Sequence, residues 1–234
     1  MIARLRRLAA WLTCTLVLTA VVGGCSSASS TSAGTTTVPV PSATALLASS
    51  ATAMKSVTSA HFVLSVSGRL PALQVQGAQG DLSSAGQAKG SATITEFGQL
   101  VQVDFVIVGK VLYLKGPTGG YTKLAAALAG QIYDPTAILN TDKGVAAVLG
   151  HVASPGVPQP VGSLYTVTGT VAQAMAAALV PGITADSLAT FTVDKASMRL
   201  TDVTLMLKGS DGQPATVDLA LTDFNKPVTV SAPA

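Results

Sequence analysis

The side chains able to do chemistry in this chain are few and scattered. It holds two cysteines, Cys14 and Cys25, and two histidines, His61 and His151. The histidines stand alone, without the His-x-x-x-His or Glu-paired spacing of a metal site. A serine hydrolase would carry its nucleophile on a strained Gly-x-Ser-x-Gly turn, and none occurs. Gly116-Pro117-Thr118-Gly119-Gly120 lacks the Lys-Ser/Thr ending of a phosphate loop and reads as a hairpin loop after Leu114. Asp134 precedes Pro135, the position of a turn or helix-capping carboxylate rather than of a catalytic acid. The inventory therefore predicts no catalytic residue, no metal and no cofactor, so the chain is read as a non-enzyme.

One residue does carry a chemical expectation. Arg4, Arg6 and Arg7 form a basic start, Leu8 to Val22 an apolar run of signal-peptide length, and the run ends at Val22-Gly23-Gly24-Cys25. This is similar to a bacterial lipobox: an aliphatic residue, two small residues, then the cysteine that is diacylated and becomes the new N-terminus. Residues 1–24 are thus expected to be a lipoprotein signal peptide and Cys25 the lipidation site. Cys14 lies within the discarded segment, so no disulfide framework is expected. Residues 25–41 are uncharged and rich in Ser, Thr and Pro, the composition of a flexible tether. Two acyl chains anchor stably where one is marginal. The predicted location is the extracytoplasmic face of the cell membrane.

Composition limits the remainder, residues 42–234, read as a single domain. Hydrophobic residues make up 48% of the chain and charged residues 11%, with a mean hydropathy of +0.51, which excludes long disorder. Beyond the N-terminus no run of about 18 apolar residues exists for a spanning helix. Three of the fourteen basic residues lie in the signal, leaving eleven against eleven acidic ones. With no basic excess to neutralise phosphates, nucleic acid is not an expected partner.

The periodicity supplies the elements. Ser42 is placed to cap a helix over 43–59, with Leu47, Ala51, Met54 and Val57 on one face. Period-two alternation then predicts strands near 62–67, 73–82, 87–96, 100–108 and 111–115. The third has Ala88, Gly90, Ala92 and Ile94 on one face. Segments 124–130, 135–139 and 143–151 read as short Ala-rich helices, and Thr170 as the cap of a helix over 171–179. Strands resume at 163–168, 189–194, 199–208 and 215–223. With no helix between successive strands, the sheet is expected to be antiparallel, in an α+β fold. The pattern leaves two interiors open: a compact core of Ala, Val and Leu, or a curved sheet closed by helices around space for an apolar guest.

From about Leu46 to Val230 the chain resembles the mycobacterial LppX/LprA/LprF/LprG lipoprotein family. The most specific match is Ile132-Tyr133-Asp134-Pro135, followed by Ile138-Leu139-Asn140 and Gly144-Val145-Ala146-Ala147-Val148-Leu149. Ser59-Ala60-His61, Gly80-Asp81-Leu82, Asp104-Phe105-Val106 and Leu112-Tyr113 add to it. Phe224-Asn225 stands where members often carry Trp-Gly, and Phe191 replaces a second common tryptophan, so aromatic bulk is kept at both places. The resemblance implies a U-shaped antiparallel half β-barrel, with helices packed on its concave face and an apolar lipid cavity enclosed. It also implies a carrier of acylated lipids or lipoglycans across the periplasm toward the outer envelope. Phosphatidylinositol mannosides and triacylglycerol are candidate cargoes, and an inner-membrane transporter a candidate loading partner. In such a barrel the period-two faces point at the helices, which makes Phe62, Leu64, Val66, Ile94, Val103, Phe105, Val203, Leu205 and Val217 the expected lining. The alternative is a structural or host-interacting surface lipoprotein with no lipid-carrier role.

Overall fold

The computed structural model describes residues 39–70, 73–96, 98–125, 133–209 and 212–233. The expected signal peptide, Cys25, the tether up to Val38, residues 126–130 of the helix expected over 124–130, and Ile132 lie outside them. The described strands are β1 (Ser59–Ser67), β2 (Val75–Ser83), β3 (Gln87–Glu96), β4 (Gln99–Val108), β5 (Val111–Lys115), β6 (Thr122–Ala125), β7 (Gln159–Val161), β8 (Leu164–Val171), β9 (Ser187–Asp194), β10 (Leu200–Lys208) and β11 (Pro214–Thr222). All eleven belong to one antiparallel sheet in the order β6-β5-β4-β3-β2-β1-β11-β10-β9-β8-β7. Two meanders, β1–β6 and β7–β11, meet where the first strand pairs with the last.

This order dictates where the helices go. β6 lies at one edge of the sheet and β7 at the other, and residues 133–158 are the described part of the chain between them. That stretch holds a 3₁₀ turn (Pro135–Leu139) and helix α2 (Val145–Gly150), and the 3₁₀ turn touches β2 and β3. Helix α1 (Ala43–Lys55) packs on α2, and α3 (Gln173–Leu179) is an excursion between β8 and β9. Buried side chains of every helix join those of the sheet's inner face in one apolar cluster, from Leu46, Met54, Ile138, Leu149 and Ala176 to Phe62, Phe191 and Leu221. Strand patterns show the two faces directly: along β11, Ala215, Val217, Leu219 and Leu221 are buried while the residues between them are not.

Local propensity yields to tertiary pairing at four places. The first helix ends at Lys55 rather than 59. The Thr58 N–H is taken by Asn225 Oδ1 at 2.8 Å, and Ser59 already pairs with Ser83. The expected helix over 171–179 begins two residues later. Thr170 exchanges hydrogen bonds with Ala153, which holds it in β8, and Asp186 Oδ1 caps the Gln173 N–H from outside the helix. Leu124 and Ala125 are strand, not helix, because β6 pairs Leu124 with Leu112 and Ala125 with Val111. The helix expected over 143–151 is confined to 145–150, with Gly144 at its start and His151 at its end. Elsewhere the strands fall close to the alternating segments, and Ser42 Oγ accepts the Ala45 N–H as a helix cap should.

Candidate functional site

The antiparallel register lines up inner-face side chains in rows that cross the whole sheet. One row runs Val167, Phe191, Val203, Leu219, Leu64, Ala78, Ala92, Val103, from β8 to β4. Large side chains fill it until β2 and β3, where it drops to alanine. The next row, Leu221, Phe62, Gly80, Gly90, Phe105, Leu114, drops to glycine at the same two strands. β2 and β3 thus form the floor of a trough walled by Phe62 and Leu64 on one side and by Val103 and Phe105 on the other. The Phe62 and Phe105 rings lean toward one another over the glycine pair, 6.4 Å apart and tilted by 43°. Glycine is required here. A Cβ on Gly80 would run into the Lys89 carbonyl oxygen, and one on Gly90 into that of Gln79.

Above the floor, the Tyr133–Pro135 turn closes the trough. Val75, Ala78, Ala92, Ile94, Val103 and Phe105, with Tyr133 and Pro135 opposite, line an apolar cavity of about 30 Å³. A second apolar cavity of about 20 Å³ lies between α2, α3 and β8–β10, against Val148, Leu179, Phe191, Val203 and Leu205. Each has room for a water molecule or two, well below the roughly 300 Å³ of an ordinary ligand site. Around both, the chain's own side chains fill the interior.

Of the nine side chains expected to face a guest, Ile94, Val103 and Phe105 reach the trough cavity, and Val203 and Leu205 the second one. Phe62, Leu64 and Val217 are buried in the core between them, and Val66 is half-buried against it. The register places Phe62, Leu64 and Val66 opposite Leu221, Leu219 and Val217, on the same side. Ala78, Gly80 and Tyr133 were not among the nine. The signal for the first two was small residues at period two in two successive strands, Ala78-x-Gly80 and Ala88-x-Gly90-x-Ala92, joined by a tight turn.

The polar candidates sit elsewhere. His61 Nδ1 lies 2.8 Å from Asp81 Oδ1 across β1 and β2, on the outer face. His151 ends α2, its Nδ1 2.8 Å from the Ala147 carbonyl oxygen. Asp134 caps the 3₁₀ turn: its Oδ1 accepts from the Thr136 N–H at 2.9 Å and the Thr136 hydroxyl at 2.7 Å. The neighbouring Tyr133 phenol is held far above its ordinary pKa, chiefly by burial and then by the Asp134 charge. It stays a neutral wall of the cavity. Gly116–Gly120 forms the loop between β5 and β6.

The described residues thus form one antiparallel sheet whose apolar inner face is covered by short helices. The chain belongs to the LppX_LprAFG lipoprotein family, which matches residues 42–230. It is 34% identical over 223 residues to the lipoarabinomannan carrier protein LprG of Mycolicibacterium smegmatis, covering 92% of this chain and 91% of that one. It is 40% identical over 148 residues to LprG of Mycobacterium leprae, a match over 62% of this chain that spans only 60% of the relative's own length. The crystal structure of LprF from Mycobacterium bovis superposes with a TM-score of 0.69 at 26% identity, covering 82% of this chain and 97% of that one.

Proposed function

We propose that this protein is a membrane-anchored lipoprotein that takes acyl chains into the trough over β2 and β3 and carries acylated lipids or lipoglycans across the periplasm. The observation that carries the reading is the drop to alanine and glycine at two central strands of an otherwise bulky inner face. At Ala78 and Ala92, which border the trough cavity, a core built only for stability gains from larger side chains, since buried apolar area contributes roughly 25 cal/mol per Å². The names of the relatives, carriers of lipoarabinomannan, point the same way. In this reading the sheet and its helices form the half-barrel, the lipobox cysteine Cys25 supplies the anchor, and residues 26–41 the reach.

The closed interior is compatible with loading because its cover is light. The 3₁₀ turn spans five residues, α2 six and α3 seven. Helices this short draw their stability from tertiary contact rather than from propensity. An acyl chain offers them the same apolar contact as the sheet does, which offsets the cost of lifting them from the trough. The filled interior also favours a second reading, a structural or host-interacting lipoprotein that carries nothing.

One experiment separates the two. Native mass spectrometry and a melting curve are recorded for the wild type and for Val103→Trp, which places an indole at the trough wall. A carrier releases lipid on transfer to the gas phase, and the variant folds with reduced lipid occupancy. Wild type without lipid, paired with a variant destabilised by roughly 1–3 kcal/mol through overpacking, overturns the carrier reading in favour of the structural one.

A further inference from the structure

We propose that the outer face of the edge hairpin β5–β6 is a docking surface for an anionic lipid bilayer and holds the trough beside the membrane. The proposal rests on the reading above for the anchor that brings the chain to a bilayer. Basic and acidic residues balance over 42–234, but they are unevenly placed. Between Asp104 and Asp134 the chain carries Lys110, Lys115 and Lys123 and no acidic residue. The hairpin gathers all three. Lys110 stands exposed in the turn before β5, Lys115 ends β5, and Lys123 is exposed on β6, the edge strand of the sheet. At about 3.4 Å per residue, the stretch from Lys110 to Lys115 covers about 17 Å of that edge.

Register interleaves these lysines with tyrosines. Tyr113 pairs with Lys123, and one step beyond the Leu114–Thr122 pair Lys115 comes opposite Tyr121. The Lys115 ammonium lies over the exposed Tyr121 ring, 5.9 Å from its centroid. Leu112 and Leu114 alternate with these residues and line the trough cavity, so the Lys–Tyr face is the outer one. On β4, Val106 stands opposite Tyr113 and Asp104 opposite Lys115, and Lys89 of β3 extends the row past Val106. Lysine and tyrosine both pair an apolar body with a polar tip, which suits them to the boundary between hydrocarbon and headgroups. A protein partner fits less well, because protein interfaces are depleted in lysine. An anionic bilayer gains from each one, about fivefold in affinity per lysine and on the order of a hundredfold for three.

The test reconstitutes the full chain on vesicles of dioleoylphosphatidylcholine, alone or mixed with dioleoylphosphatidylglycerol, and maps lysine acetylation by mass spectrometry. Lys110, Lys115 and Lys123 should react on the order of tenfold more slowly on the anionic vesicles. Lys208 and Lys226, exposed elsewhere on the molecule, should react equally on both. High salt should remove the difference by screening the surface charge. In the folded double variant Lys115→Ser/Lys123→Ser, Lys110 should lose its protection. Equal reactivity on the two kinds of vesicle overturns the docking surface, and so does protection of Lys110 that survives the double variant. Native mass spectrometry of the same samples counts lipid taken up from the vesicles. Uptake without protection overturns the docking surface and leaves the carrier reading standing, whereas protection without uptake does the reverse. A chain that floats with neither vesicle overturns the docking surface and the anchor together.

Discussion

The two wings of the sheet solve the same packing problem with different materials. From β8 to β11 the inner rows are built of Val167, Phe191, Val203, Leu205, Val217 and Leu219, and α2 and α3 sit directly on them. In β2 and β3 the middle of the inner face holds Ala78, Gly80, Ala88, Gly90 and Ala92, with Val75, Leu82 and Ile94 toward the strand ends. The outer faces differ as well. Asp81 has His61 and Lys89 as its cross-strand neighbours, whereas Asp202 lies near Asp218, which is held by Thr204. The bulky wing is a core in the ordinary sense. The small-residue wing brings β2 and β3 into close approach at Gly80 and Gly90 and leaves a small apolar cavity over them.

Deleting one aromatic ring in each wing should produce the largest contrast. Phe191 is 1% exposed beneath α2 and α3, so Phe191→Ala should cost about 3–5 kcal/mol, through lost transfer energy and the cavity left behind. Phe105 borders space already present over Gly90, and Phe105→Ala should fall at or below the low end of that range. It should also widen the trough cavity enough to increase uptake of a small apolar probe. Denaturant titration of both variants measures the difference. Equal losses would show the two wings to be packed alike.

How much of this was legible in the sequence follows from the range of each signal. Strand identity was local: Val101, Val103 and Phe105 alternate with Gln102 and Asp104, Ile107 continues the period, and all four sit in β4 as expected. The small face of β3 was legible too, as Ala88, Gly90, Ala92 and Ile94. That it meets a second small face on β2 was not, because Gly80 opposite Gly90 is a statement of register, and a slip of one residue would turn every side chain over. The ends of α1 and α3 were misplaced because residues distant in sequence, Asn225 and Asp186, take the N–H groups that decide them. The short strand β7 carries Pro160 and only exposed residues, so it shows no alternation to read. A cavity depends on which rows face which helices, and periodicity does not reach that far.

Glycine at the trough floor gives the next effect in size. Gly90→Ala puts a Cβ against the Gln79 carbonyl oxygen of β2, so the two central strands must separate. The expected cost is about 1–3 kcal/mol, as for other overpacked sites. Gly116→Ala is the control: its Cβ meets nothing within 4 Å, and the change should stay within about 0.5 kcal/mol. A neutral Gly90→Ala would mean that β2 and β3 are free to spread, and the close approach would no longer explain the glycine pair.

The smallest effect lies on the outer face of the bulky wing and is read from its dependence on pH. Partial burial, and then the charge of Asp218, raise the native pKa of Asp202 above the ordinary aspartate value. The native state therefore keeps this proton to higher pH than the unfolded chain does. Stability on this account falls as pH rises between the two pKa values and stays lowered above them. Asp202→Asn removes the charge, so it should be slightly more stable than wild type at pH 7, by about 0.5 kcal/mol or less. The gap should close under acid conditions, where Asp202 is protonated in both states. Asp194, at the end of β9, gives the opposite sign. The Ser197 hydroxyl and N–H, at 2.7 and 2.8 Å, hold its carboxylate below the ordinary value, so its contribution is present at neutral pH and lost as pH falls through the native pKa. Asp194→Asn should be the less stable protein at pH 7 and converge with wild type in acid. Melting curves of the two variants from pH 3 to 7 read both signs, and two curves displaced in the same direction would show that like-charge crowding on β10 and β11 is not what separates the outer faces of the wings.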